Sequence, residues 1–368
     1  MLQGICAFAT ALTLAATPTR PFVDGECSPT GRLMVARPSL SWSISAEKVS
    51  SISATINGVP VPGMFDPRAC TVLASARDPL SPGTHEAEFV LELADGRRVR
   101  KAWSFEVLPG AHAELPAPLP EAARAIGALN ELRRRAGLMP LRTDPQLSAA
   151  AQAHSAYLRL NNASGHAQLP SLPGFCGESP AERLRAFDFT SAAFECVDFG
   201  GITPEEGVSN LWNAPYHRLP LMQRGTSAVG AGYDGRRTTI EVGVSAAEGI
   251  VVSPGAGETN VPTTWEYVER PNPLRLHGFP RSVGHVIVLA DFGSGSNLIL
   301  HEASLDTVEG QPVPIWVNSP SNDEHLSNAV FLIPQRPLHP MRTYRVRVRA
   351  SRDGKPMLRD WAFTTAAS

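Results

Sequence analysis

Three side chains in this chain would make a reactive group if folding brought them together: His166 in "SGHAQ", Glu195 in "AFECVDFG" and His217 in "NAPYHR". Two imidazoles and a carboxylate are a workable first shell for a divalent metal such as zinc, with His166, His217 and Glu195 as ligands. They are equally a workable acid/base set, because imidazole changes charge near neutral pH and a carboxylate can orient it or act on water. Their separations of 29 and 22 residues match no short metal motif, so only the fold can make them converge. Each is expected on a loop beside a regular element. His166 follows a helix and a glycine, Glu195 lies outside any clear helix, and Pro215 is expected to end a helix so that His217 turns towards the other two.

Other chemistry-bearing residues have blander readings. His154 shares helical phase with Leu147, Ala151 and Leu158, which is the pattern of a buried, hydrogen-bonded core histidine. Arg133, Arg134 and Arg135 crowd a helix C-terminus, where the macrodipole favours cations on a solvated face. The run from Gly225 to Gly230 misses the nucleophile-elbow spacing by one residue, so a serine hydrolase is not expected.

The elements that must position the three residues lie between about 118 and 247. Ala122, Ile126, Leu129 and Leu132 recur at helical spacing up to Gly137, and Asp144-Pro145 opens a second helix with an N-cap and a proline at its first position. Ser179-Pro180-Ala181-Glu182 and Thr203-Pro204-Glu205-Glu206 are capping boxes that start two more. Ile240, Val242 and Val244 alternate with Thr239, Glu241 and Gly243 in a hairpin-like pair of strands. An α+β sandwich with helices covering a small sheet follows for 118–247.

The two flanks repeat one another. Pro79-Leu80-x-Pro82, Asp95-Gly96 and Trp103-x-Phe105 recur with the same spacings as Pro337-Leu338-x-Pro340, Asp353-Gly354 and Trp361-x-Phe363. Period-two alternation at Phe89, Leu91, Leu93 and at Tyr344, Val346, Val348, with Asp-Gly as the tight turn, makes both flanks β. The chain is therefore read as multidomain, a central α+β (α-β-α sandwich) domain between two all-β immunoglobulin-like sandwiches at 20–109 and 254–367. The proline- and glycine-rich stretches 108–120 and 251–262 are read as linkers.

Composition narrows the partners. With 33 basic and 35 acidic residues the net charge is -2, which offers no overall field for a nucleic acid. Residues 1–16 hold an uncharged apolar run from Ile5 to Ala16, read as a signal peptide too short to span a membrane, and no second run reaches that length. A secreted, periplasmic or cell-surface location is expected, with no transmembrane segment in the mature chain. Removing Cys6 with that leader leaves Cys27, Cys70, Cys176 and Cys196, an even count that suits an oxidising compartment. The wide gap between Cys70 and Cys176 favours the pairs Cys27–Cys70 and Cys176–Cys196 over the other two connectivities; the alternative is a set of free buried thiols.

The stretches "LNELRRRAGLMPLRTDPQLSAAAQAHSAYL", "GHAQ", "SPAERLRAF", "AFECVDFG", "PEEGVSNLWNAPYHRLPLM" and "SAVGAGY" resemble the CAP superfamily of cysteine-rich secretory, antigen 5 and pathogenesis-related 1 proteins (the SCP domain), in particular its bacterial extracellular members. The resemblance implies a central cavity lined by His166, Glu195 and His217, with Arg218 helping to hold the loop. Phe194 and Cys196 flank the glutamate where the family has glycine and asparagine, and no residue matches the second glutamate of many eukaryotic relatives. The function so implied is a secreted or surface binding module whose cavity takes a metal or a small-molecule, lipid, cell-wall or protein ligand. A metal-dependent hydrolase of peptide or cell-wall substrates using the same residues is the alternative, and a structural or adhesion protein the third reading.

Overall fold

The computed structural model describes residues 22–45, 48–225, 228–244, 246–266, 269–292 and 297–367; Cys6 and the apolar run to Ala16 lie outside them. Contacts divide the chain into two compact units, one of residues 1–30, 39–78 and 85–104, the other of residues 31–38, 79–84 and 105–368.

The described residues open with nine strands: β1 (Asp24–Ser28), β2 (Gly31–Val35), β3 (Ser39–Ile44), β4 (Val49–Ile56), β5 (Val59–Val61), β6 (Gly63–Asp66), β7 (Thr71–Ser75), β8 (Gly83–Leu93) and β9 (Arg98–His112). In the first unit β1-β3-β7-β6 form one sheet, while β4 is hydrogen-bonded between β5 and β8. The inward positions of these strands supply the core, where the Trp42 and Phe89 rings stack with centroids 6.5 Å apart. β2 belongs to the second unit and pairs in parallel with residues 105–112 of β9, so Leu108–His112, read as linker, is strand.

The helical segment follows: α1 (Pro120–Arg135), β10 (Arg142–Thr143), α2 (Pro145–Leu160), α3 (Pro180–Ala186), β11 (Ala193–Asp198), α4 (Pro204–Asn213), α5 (Pro215–Leu221), β12 (Ala228–Asp234) and β13 (Arg237–Gly243). The expected caps form. Asp144 accepts from Gln146 N at 2.9 Å and Leu147 N at 3.0 Å, and Ser179 and Thr203 accept from the Glu182 and Glu206 amides. Each cap is worth about 1 kcal/mol. Gly137 (φ 72) ends α1, with Leu138 N returning to Arg133 O at 2.9 Å. Arg133 is not on a solvated face: it is 1% exposed and donates to the carbonyls of Met139, Leu221 and Gln223.

The strands order as β10-β12-β13-β11, and helices cover both faces. Ile240 and Val242 point to a core shared with α1 and α4, while Thr239 and Glu241, on the other face, are sealed beneath α2. Gly230 and Gly232 make that close approach of α2 possible, since a Cβ on them would stand 2.1 Å from Leu147 C and 2.4 Å from Ala151 C.

The C-terminal strands are β14 (Gly249–Ser253), β15 (Ile287–Phe292), β16 (Leu298–Thr307), β17 (Ile315–Asn318), β18 (Ala329–Pro334), β19 (Thr343–Arg352) and β20 (Lys355–Thr364). β14-β15-β18-β17 and β16-β19-β20 sandwich a core that includes Leu289, Leu332, Tyr344, Val346 and Trp361. Asp353 (φ 49) and Gly354 (φ 76) make the expected hairpin turn between β19 and β20. The first of these sheets is buried on both sides. Val288, Ala290, Phe331 and Ile333 join Val208, Leu211, Trp212 and Leu221 of α4 and α5 in one continuous core, and Val251, within the second expected linker, is part of it. The helical segment and the C-terminal sandwich are thus fused by packing. Arg218 strengthens the junction from its buried position, donating to Trp212 O and, at 3.0 Å, to Val286 O.

Candidate functional site: two histidine–carboxylate pairs on one cavity

His166 is positioned by the end of α2. Asn162 (φ 46) and Gly165 (φ 91) turn the chain back, and Gly165 O accepts from Nε2 of His154 at 3.1 Å. Gln168 Nε2 lies 3.1 Å from the other nitrogen of His154, so this ring donates through Nε2 and accepts through Nδ1. Burial lowers the His154 pKa to about 4 despite the neighbouring Glu195 charge, which agrees with a neutral core histidine.

Glu195 is on β11 and not on a loop. Strand alternation turns its side chain, 1% exposed, under α2 and α3, where Oε1 accepts from His166 Nδ1 at 2.8 Å. Nη2 of the buried Arg183 donates to both carboxylate oxygens at 2.8 and 2.6 Å, and His154 Nε2 stands 3.7 Å from Oε1. Burial pushes the Glu195 pKa up, but the His166 hydrogen bond and the charge of Arg183 outweigh it and hold it at about 2. Glu241 lies opposite Glu195 in the β11–β13 register; burial first, and then the Glu195 charge, raise its pKa well above the carboxylate range. Neither Glu241 oxygen meets a partner in regular hydrogen-bond geometry.

His217 is reached differently from the expected way. Pro215 does not end a helix with a loop after it; α4 stops at Asn213 and Pro215 takes the first position of α5, the place a proline favours. The His217 ring Nδ1 is 2.9 Å from Oε2 of Glu269, a buried carboxylate that also accepts from the backbone amide of Tyr216. Glu269 comes from the segment between β14 and β15. Its partner Tyr216 is itself tied to the C-terminal sandwich through Asp323, at 2.6 Å.

His166 and His217 line one cavity of about 780 Å³. Val197, Leu211, Ala214 and Phe199 give it apolar wall, and Asp198, Asn210, Glu269 and Arg270 its polar groups. Asp198 is occupied in holding the loop beyond β11, accepting from Gly200 N, Gly201 N and Asn210 Nδ2. Among the described residues neither histidine Nε2 has a protein hydrogen-bond partner, so each ring offers that nitrogen for chemistry in the cavity.

Sequence reasoning placed His166, Glu195 and His217 around one hollow, and the two histidines line it. Glu195 stands behind His166, committed to Arg183, and does not line the cavity. The expected metal set of His166, His217 and Glu195 is therefore not formed: among the described residues no three His, Cys, Asp or Glu groups are placed to share a metal ion. Glu269 and Arg183 were missed. Glu269 is 52 residues from His217 in an aperiodic stretch, and Arg183 in "AERLRA" has the local look of a helix surface.

Neither expected cysteine pair is formed in this structure, where all four described cysteines are free. β1 and β7 flank β3, which leaves two strand spacings, about 9.6 Å, between the Cys27 and Cys70 regions, beyond disulfide reach. Cys196 faces the α1/α4 core while Cys176 packs with Leu147 and Leu184 on the other side of the sheet. Burial raises both thiols, Cys176 to about 11.

Residues 126–241 match the family model described as CAP, the cysteine-rich secretory protein family. Among solved structures, an extracellular SCP-domain protein from Bacillus anthracis is similar at 15% identity and a TM-score of 0.29, covering 56% of this chain and 82% of its own. A cysteine-rich secretory protein from Staphylococcus aureus is similar at 10% identity and a TM-score of 0.27, covering 56% and 80%. An outer surface protein from Borrelia burgdorferi is 19% identical at a TM-score of 0.29, covering 36% and 98%. Likenesses this loose carry nothing about function. No curated protein sequence matches the chain, and among the described residues no helix is long and apolar enough to cross a membrane.

Proposed function

We propose that this chain, whose central segment is a CAP-family domain, is a secreted or cell-surface binding module that takes a small ligand in the cavity bearing His166 and His217. One observation carries the reading: two imidazoles, each braced by a buried carboxylate, face a hollow of about 780 Å³ with apolar walls. Such a mix of hydrophobic lining and a few convergent polar groups is what ligand sites present. The flanking sandwiches, read as immunoglobulin-like, would display the module. The test is a panel of lipids, peptides and cell-wall fragments screened for a rise in melting temperature. Ligands of this cavity stabilise the wild type and leave a His166→Ala/His217→Ala variant unmoved; stabilisation kept in full by the variant places the ligand elsewhere and ends the reading.

A hydrolase is the second reading, favoured by one feature: a histidine whose Nδ1 is held by a carboxylate has the orientation of a general base acting through Nε2. Hydrolysis of a peptide or cell-wall substrate that His217→Ala abolishes in a folded protein would move the assignment to an enzyme.

A further inference from the structure

Two histidines approach the cavity from unrelated elements, and both make the same bond: Nδ1 of His166 to Glu195 at 2.8 Å and Nδ1 of His217 to Glu269 at 2.9 Å. A carboxylate only accepts, so in each ring Nδ1 must carry the proton and Nε2 is left with the lone pair when the ring is neutral. Both carboxylate side chains are 1% exposed, while the imidazoles are 48% and 23% exposed. The rings are thus gripped from the protein side and open on the cavity side.

The two carboxylates differ in origin. Glu195 lies inside the stretch 126–241 that matches the CAP family; Glu269 lies outside it, on the segment entering the C-terminal sandwich. That segment is held against α4 and α5 by bonds other than Glu269's own: Trp265 Nε1 donates to Asn213 O, at the end of α4, at 2.6 Å, and Arg275 Nη1 to the hydroxyl of Tyr216, in α5, at 2.6 Å.

We infer that Glu269 is the positioning residue of His217, doing for it what Glu195 does for His166, so that the CAP cavity is completed by the C-terminal part of the chain and presents two matched Nε2 acceptors. The cavity would then favour a ligand whose polar end donates hydrogen bonds, a hydroxyl or an amine, over one that presents only acceptors. The inference rests on the cavity being the binding site only for this ligand preference; the tautomer itself is measurable without any ligand.

The experiment is nitrogen NMR of the full chain labelled at histidine, at a pH where the rings are neutral, with signals assigned through His166→Gln and His217→Gln. The expected result is the Nδ1–H tautomer at both rings. Glu269→Ala should shift His217 towards the Nε2–H tautomer and leave His166 unchanged, whereas Glu269→Gln, whose amide oxygen can still accept, should keep the wild-type pattern. Glu269 also accepts from the amides of Tyr216 and His217. If that structural role were its whole contribution, Glu269→Ala would lower the melting temperature with the His217 tautomer unmoved, and the inference would be overturned. An Nε2–H tautomer at His217 in the wild type overturns it as well, even if the alanine variant does not fold. Neither result touches the proposed function, which stands or falls on ligand capture.

Discussion

Glu195 and Glu241 stand directly opposite one another on adjacent antiparallel strands, both side chains sealed from water, and they carry opposite protonation tendencies. Arg183 lies against the first, and among the described residues no cation bonds the second. Two like charges this close and this deep cannot both ionise cheaply, so the pair keeps one proton, and His166 at the cavity wall is anchored to the ionised member.

Stability should follow pH through this cluster. The folded Glu195 pKa, about 2, lies below the unfolded value of 4.5, so its contribution is present above about 4.5 and is lost as pH falls towards 2. His154 is depressed from 6.5 to about 4, so stability also declines as pH drops through that window, where the unfolded chain binds the proton first. Glu241 has the opposite sign: its raised pKa costs stability as pH climbs above the unfolded value. Urea midpoints measured across pH should show an acid limb in wild type and in Glu241→Gln alike, with only the variant spared the decline that begins above the unfolded Glu241 value.

Arg183→Met should destabilise by about 3–5 kcal/mol, because it leaves the buried Glu195 charge without its partner. Adding Glu195→Gln should recover much of that loss. A double-mutant cycle by urea unfolding measures it, and additive losses would show that the two side chains do not depend on each other.

Gly230→Ala should cost on the order of 1–3 kcal/mol or more, since its Cβ would sit 2.1 Å from the Leu147 backbone and force α2 off the sheet. As α2 carries His154, the His166 resonances should move too, although residue 230 touches neither histidine in sequence. An unshifted NMR spectrum with unchanged stability would contradict the packing described.

Thiol labelling should sort the cysteines. Cys70, exposed, reacts in the native protein, whereas Cys176 and Cys196 react only on unfolding. Reductant should leave the melting temperature unchanged, and a fall on reduction would reinstate a disulfide.

The helices of the central segment could be read from the chain because their signals are local: Asp144, Ser179 and Thr203 bond amides two or three residues away, and Gly137 ends α1 within its own turn. The β19–β20 hairpin was equally readable, since Asp353-Gly354 carries the backbone angles that the turn demands. His166, Glu195 and His217 were found through family resemblance, as nothing within a few residues of any of them announces the others.

Local signals, then, were enough for the central helices and the all-β flanks, and resemblance to a family supplied the three candidate residues. Packing alone could assign the partners: that Glu195 serves Arg183, that Glu269 reaches His217 from the far side of a supposed linker, and that Cys176 and Cys196 face opposite sides of a sheet. The reason is physical. Capping and periodicity act over one or two turns of chain, whereas a buried carboxylate takes whichever donor tertiary packing seals beside it, however remote in sequence.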